Sequence, residues 1–229
     1  MLLALLFACA GPTHSPEVVE AAPTAASPAR ADTEAPRGDD AALARSLRAT
    51  VAGAPTAADH YAYAAVLARL RAAGRTCEHD AYPGVIFDHL EAAIRAEPAL
   101  SAKAEADESF RSVRPFVRFQ VATGADLSKP AVLAAVLVMP TFYGPRGGAL
   151  ANLSTLKFAA DGSATRGEST LGDTGPQTTT RPATWRLEGT TVLLAELSGA
   201  PEAWTLSGDG TLRSARGKSW TDVPSECGA

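Results

Sequence analysis

Between residues 141 and 229, apolar side chains recur at every second position, and each run stops at a glycine-containing turn. Leu156 and Phe158 flank Lys157 and lead to Asp161 and Gly162. Trp185 and Leu187 flank Arg186 and lead to Glu188 and Gly189, after which Val192 and Leu194 resume. Trp204 and Leu206 flank Thr205 and lead to Gly208, Asp209 and Gly210, followed by Leu212. A period of two reads as strand, and Asp-Gly suits hairpin turns because glycine takes positive φ without steric cost. The pattern predicts an antiparallel meander of about five to seven strands, curled into a small barrel or sandwich. Trp185, Leu187, Trp204 and Leu206 are expected on one core face, with Thr184, Arg186 and Thr205 outward. Residues 163–184, rich in Ser and Thr, read as strands and loops facing water.

Residues 39–140 carry the helical period. A first helix opens at Asp39 and Asp40, read as caps; Leu43, Leu47 and Val51 share one face, and Gly53 stops it. Thr56 with Asp59 three residues on is an N-terminal cap signal. Tyr63, Val66, Leu67 and Leu70 then follow the i, i+3, i+4, i+7 rule up to Gly74. After a loop carrying Cys77, Phe87, Leu90 and Ile94 form the stripe of a further helix over residues 85–96, closed by Pro98. Residues 101–119 begin as helix with Phe110 and Val113 inward, and Pro115 breaks it. Asp126, Ser128 and Pro130 start another helix, and the apolar run over residues 131–139 reads as its buried body.

Tyr63, Leu67 and Gly74, then Leu90, Ala93 and Pro98, resemble one tetratricopeptide repeat, with an insertion of about seven residues in the inter-helix turn. That resemblance implies neighbouring helices to cover its face and a role in holding a partner protein. The β region in turn resembles the compact lipocalin-like domains of many bacterial lipoproteins. The fold class expected is therefore α+β: N-terminal TPR-like helical hairpins over residues 39–140, then a small antiparallel β-meander or barrel over residues 141–229.

The chain opens on an apolar run, Leu2 to Phe7, followed by Ala8 and Cys9. The run is too short for a bilayer span, which needs about 20 apolar residues. A signal-peptide core fits it better. Leu6, Phe7, Ala8 and Cys9 resemble the lipobox of bacterial lipoproteins, which implies acylation at Cys9 and a membrane anchor on the periplasmic face of the outer membrane. Cleavage after Ala8, Cys9 and Ala10 is the other reading, giving a soluble exported protein. Residues 1–9 are thus the signal, and residues 10–38, with Pro12, Pro16, Pro23, Pro28 and Pro36, a disordered tether reaching roughly 30 Å.

Three cysteines occur in 229 residues, and net charge is −4. An acidic balance does not favour nucleic acid. With Cys9 set aside, Cys77 and Cys227 remain, and an even count in an exported chain points to a disulfide. Such a bridge, over a loop of about 150 residues, stabilises by roughly 5 kcal/mol in the chain-entropy account.

Chemistry is sparse. No G-x-S-x-G elbow, phosphate loop or H-E-x-x-H occurs. Gly144, Gly147 and Gly148 lack the setting of a phosphate cradle and read as a turn. Cys77, Glu78, His79, Asp80, Asp88 and His89 are the densest set of metal-ligand types but follow no standard spacing. Phe110, Arg111, Arg114, Phe116, Arg118 and Phe119 read as an amphipathic segment with a solvated arginine face. No catalytic residue, metal or cofactor is assigned. The expected function is a non-enzymatic envelope protein that binds another envelope protein. The alternative is a carrier whose barrel takes an apolar ligand between Trp185 and Trp204. A metal-dependent hydrolase would need Cys77, His79 and His89 at one point.

Overall fold

The computed structural model describes residues 39–144, 153–172, 175–196 and 199–224. Cys9, the tether, residues 145–148 and Cys227 lie outside the described residues. Among the described residues, seven α-helices precede a closed antiparallel barrel of eight strands, a mixed α+β architecture. The helices are α1 (Asp40–Val51), α2 (Ala57–Ala72), α3 (Thr76–His79), α4 (Pro83–Ala96), α5 (Leu100–Ala106), α6 (Val117–Ala122) and α7 (Pro130–Leu137). None of them is long and apolar enough to cross a membrane.

Helix α2 is fixed at its start by a reciprocal cap. The Asp59 N–H donates to Thr56 Oγ1 at 3.2 Å, and the Thr56 N–H donates to Asp59 Oδ2 at 2.8 Å. Tyr63, Val66, Leu67 and Leu70 are all buried, as their spacing predicts, and so are Tyr61, Ala64, Ala65 and Ala68. The alanines make α2 apolar on several faces, so it sits in the middle of the helical layer. Ile86, Phe87 and Leu90 of α4 and Phe110, Val113 and Phe119 complete that core.

The structure corrects three helical expectations. Asp39 makes no side-chain cap, and Asp40 turns inward instead. Asp40 is 4% exposed and takes a bidentate pair from Arg69, with Nη2 at 2.7 Å and Nε at 3.1 Å. The inward face of α1 is therefore Asp40, Ala44, Leu47 and Val51, and Leu43 is exposed. The loop after α2 contains the short helix α3. The apolar run from residue 131 is helical, but α7 ends at Leu137 and Met139 is exposed.

Replacing Asp40 by Ala strips the guanidinium of Arg69 of its buried counter-charge. The expected loss is about 2–3 kcal/mol, read as a lower denaturation midpoint at unchanged m-value. A loss under about 0.5 kcal/mol would reduce the pair to an ordinary surface contact.

The strands are β1 (Thr141–Tyr143), β2 (Leu153–Phe158), β3 (Ser163–Gly172), β4 (Gly175–Glu188), β5 (Thr191–Glu196), β6 (Glu202–Leu206), β7 (Thr211–Ser214) and β8 (Ser219–Thr221). Each pairs with its sequence neighbours, and Tyr143 opposite Thr221 closes the ring. The barrel exceeds the expected strand number because β1 and β8 have three residues each, too few for an alternation to be read. Within residues 163–184, Ala164 and Ala183 point into the core rather than to water.

Phe142, Phe158, Val192, Leu206 and Leu212 fill the barrel, joined by Leu133, Val136 and Leu137 of α7. Phe158 holds Phe142 and Trp185 edge-on, at 5.8 and 5.4 Å between ring centres. Helix α6 serves both layers. Phe119, with Phe116 just before the helix, belongs to the helical core, while Val117 belongs to the barrel core with Val121 packed against it. The Val117 N–H donates to Asp222 Oδ2 at 2.6 Å, and Val223, just after it, packs on the helical core.

Candidate ligand-binding site

The inward rows of the barrel change character along their length. On β2 the row runs Phe158, Leu156, Ser154; on β5, Val192, Leu194, Glu196; on β6, Leu206, Trp204, Glu202. The register aligns these rows: Phe158 lies opposite Ala164, Leu156 opposite Arg166, Val192 opposite Trp204 and Leu194 opposite Glu202. One end of the barrel is thus packed with hydrocarbon and the other is polar.

At the polar end lies a cavity of about 750 Å³. Leu156, Leu194, Trp204 and Trp220 give it apolar walls, and Arg166, Glu196, Glu202 and Lys218 line it as well. Arg216 lines the cavity too and has no ion pair among the described residues, whereas the other charges meet one another. Arg166 Nη1 donates to Glu196 Oε1 at 2.8 Å, and its Nη2 lies 3.3 Å from Glu168 Oε1. The Arg166 guanidinium also lies over the Trp220 ring at 5.6 Å. Lys218 Nζ donates to Glu202 Oε2 at 3.2 Å. Three buried polar atoms on these side chains find no hydrogen-bond partner among the described residues: Arg166 Nε, Glu202 Oε1 and Trp204 Nε1.

Comparison with protein-family models, curated proteins and solved structures finds no match.

Of the two tryptophans expected to line the interior, Trp204 borders the cavity and Trp185 does not. Trp185 leans on Phe158 and donates from Nε1 to the Ala159 carbonyl at 2.8 Å, which leaves its polar edge occupied. Trp220, Arg166 and Glu202 belong to no motif in the sequence. The signal for Glu202 is parity: it stands two residues before Trp204, on the same face of one strand. Arg166 likewise shares parity with buried Ala164.

The histidine- and carboxylate-rich stretch is dispersed. Cys77 is held in a disulfide, so it offers no thiolate. His89 pairs with His60 across 2.8 Å between their Nδ1 atoms, with Tyr63 edge-on at 4.8 Å. Burial, and then His60, hold the His89 imidazole below its ordinary pKa. Asp88 is taken by Arg118, which also forks onto Glu91. Among the described residues, no group of three or more His, Cys, Asp or Glu side chains is placed to hold a metal. The hydrolase reading, which needs Cys77, His79 and His89 at one point, has no geometry behind it. The arginine segment is not a free basic face either: Arg114 pairs with Glu108 at 3.1 Å, and Phe110, Phe116 and Phe119 are core.

A shallower groove lies on the helical layer. Its volume is about 480 Å³, and Val51, Tyr63, Tyr82, Val85 and His89 line it together with the ion-paired Arg48 and Asp80.

Proposed function

We propose that this chain is a non-enzymatic binding protein of the cell envelope whose barrel takes a small amphipathic molecule at its polar end. The observation that carries the reading is the cavity of about 750 Å³ walled by Trp204 and Trp220. Ligand pockets commonly span about 300–1,000 Å³ and combine apolar walls with a few polar groups. Export rests on the opening apolar stretch and on the disulfide at Cys77, a bond that persists in oxidising compartments. Cys227 is the partner we assign to Cys77, because it stands four residues after Val223, which packs on the helical core. An anchor at Cys9 remains part of the proposal.

The test is a titration of tryptophan emission with N-phenylnaphthylamine. Saturable binding is expected, weakened about tenfold or more in Leu194→Trp, whose added ring occupies the cavity. Absence of saturation, or equal binding by that variant with its melting temperature unchanged, would sink the reading.

A protein partner is the second reading, supported by the groove on the helical layer and by the packing of α2 on α4. It keeps the TPR-like interpretation of that hairpin. Crosslinking in the native envelope tests it: a co-purifying small molecule with no crosslinked protein would exclude it.

A further inference from the structure

The lining of the barrel cavity carries three cations, Arg166, Arg216 and Lys218, against two anions, Glu196 and Glu202. Both glutamates are engaged: Glu196 accepts from Arg166 at 2.8 Å and Glu202 from Lys218 at 3.2 Å. Arg166 is held a second time by Glu168, and its guanidinium lies over the Trp220 ring. Glu168 in turn is shared with Arg181 at 3.8 Å. The one lining charge without an ion pair among the described residues is Arg216, and it is positive. A guanidinium keeps that charge at every pH at which the protein is folded.

Arg216 springs from a fixed piece of backbone. It sits in the turn between β7 and β8, where Gly217 takes φ +81°. The N–H groups of Arg216 and Lys218 both donate to Oγ of buried Ser214, at 3.2 and 3.1 Å. The Ser214 N–H donates to the Lys218 carbonyl at 2.9 Å, and the Ala215 N–H to the Ala203 carbonyl of β6 at 3.0 Å. The turn thus brings two cations to the cavity, one tied to Glu202 and one not. Arg216 is exposed, so an anion that meets it keeps part of its hydration and escapes most of the desolvation cost of a buried pair.

An ammonium entering this site finds both lining carboxylates taken and has to compete with Arg166 or Lys218. A carboxylate finds glutamates already neutralised by their partners and a guanidinium whose planar fork takes two oxygens at once. Leu156, Leu194, Trp204 and Trp220 offer the apolar remainder of the ligand its walls. We infer that the barrel's ligand is a monocarboxylate with an apolar body, the body lying against Trp204 and Trp220 and the carboxylate on Arg216. This rests on the reading of the cavity as a ligand site.

Three probes with one body separate the possibilities: naphthaleneacetate, naphthaleneacetamide and naphthylethylamine, titrated against the full chain by calorimetry at neutral pH, with N-phenylnaphthylamine alongside. The carboxylate is expected to bind about fivefold tighter or more than either analogue. Arg216→Gln removes most of that margin and leaves the amide unchanged, while Arg216→Lys keeps part of it. Because Arg216 is exposed, neither substitution should move the melting temperature. Equal or tighter binding of the amide or the amine overturns the inference. So does a carboxylate preference that survives Arg216→Gln. If the carboxylate fails to bind while N-phenylnaphthylamine saturates, the inference falls and the ligand site stands; if none of the four binds, the ligand-site reading falls with it.

Discussion

Asp222→Asn is expected to remove a loss of stability that the native protein suffers as pH rises from about 4 to 8. Asp222 is 1% exposed. Burial pushes its carboxyl up to about 7, the Val117 N–H opposes that rise, and Asp209 adds to it. The folded protein thus keeps a proton that the unfolded chain releases near pH 4. The folded state binds more protons than the unfolded across that window, so stability declines as pH climbs through it. The full loss is on the order of 4 kcal/mol above pH 8 and is absent below pH 4. Asparagine keeps an acceptor for the Val117 N–H and cannot ionise. Denaturation of both proteins at pH 4 and pH 8 checks this: the variant should gain on the native protein by a few kcal/mol between the two. A difference that stays constant with pH would remove Asp222 as the source.

Gly210→Ala is expected to be the most damaging single-methyl change in the barrel. Gly210 has φ +83°, and an added Cβ would overlap the Asp222 carboxyl. The left-handed backbone costs about 1–2 kcal/mol for a residue with a Cβ, and overpacking adds about 1–3 kcal/mol. Gly189 is the control. Its φ is +62°, but among the described residues nothing lies within 4 Å of where a Cβ would stand, so Gly189→Ala should cost only the backbone part. Comparing the two denaturation midpoints isolates the clash. Equal losses would mean that Asp222 yields freely to the methyl group.

Both predictions concern contacts between residues far apart in the chain or across a turn, Asp222 with Val117 and with Gly210. Period and caps could be read locally: the switch from helical to alternating pattern after Pro140, the Thr56 and Asp59 cap, and the helix start at Pro130 all rest on neighbours in the chain. Barrel closure does not. It depends on Tyr143 meeting Thr221 across most of the β region, with strands too short to show a pattern. Asp40 reads as a cap because an acid at a helix start ordinarily caps it. Only the position of Arg69 on α2 makes the interior the better place for it. The site followed the same division. Trp204 is legible from alternation and aromatic size, whereas Arg166 and Glu202 read as outward because charged residues in a strand ordinarily are. The ion pairs that hold them, Arg166 with Glu196 and Glu202 with Lys218, join residues far apart in the chain and belong to no local stretch.

Helix α6 carries a last consequence. Because Val117 and Val121 pack with the barrel while Phe119 packs with the helices, the hydrophobic unit of the barrel begins well before its first strand. A fragment cut at residue 141 would leave behind Val117, Leu133 and Leu137, along with the amide that Asp222 accepts from. The layers should therefore melt in one transition. Occupancy of the cavity should also slow hydrogen exchange in α2 and α4, far from anything the ligand touches, since free energy gained in one layer is withheld from unfolding of the other.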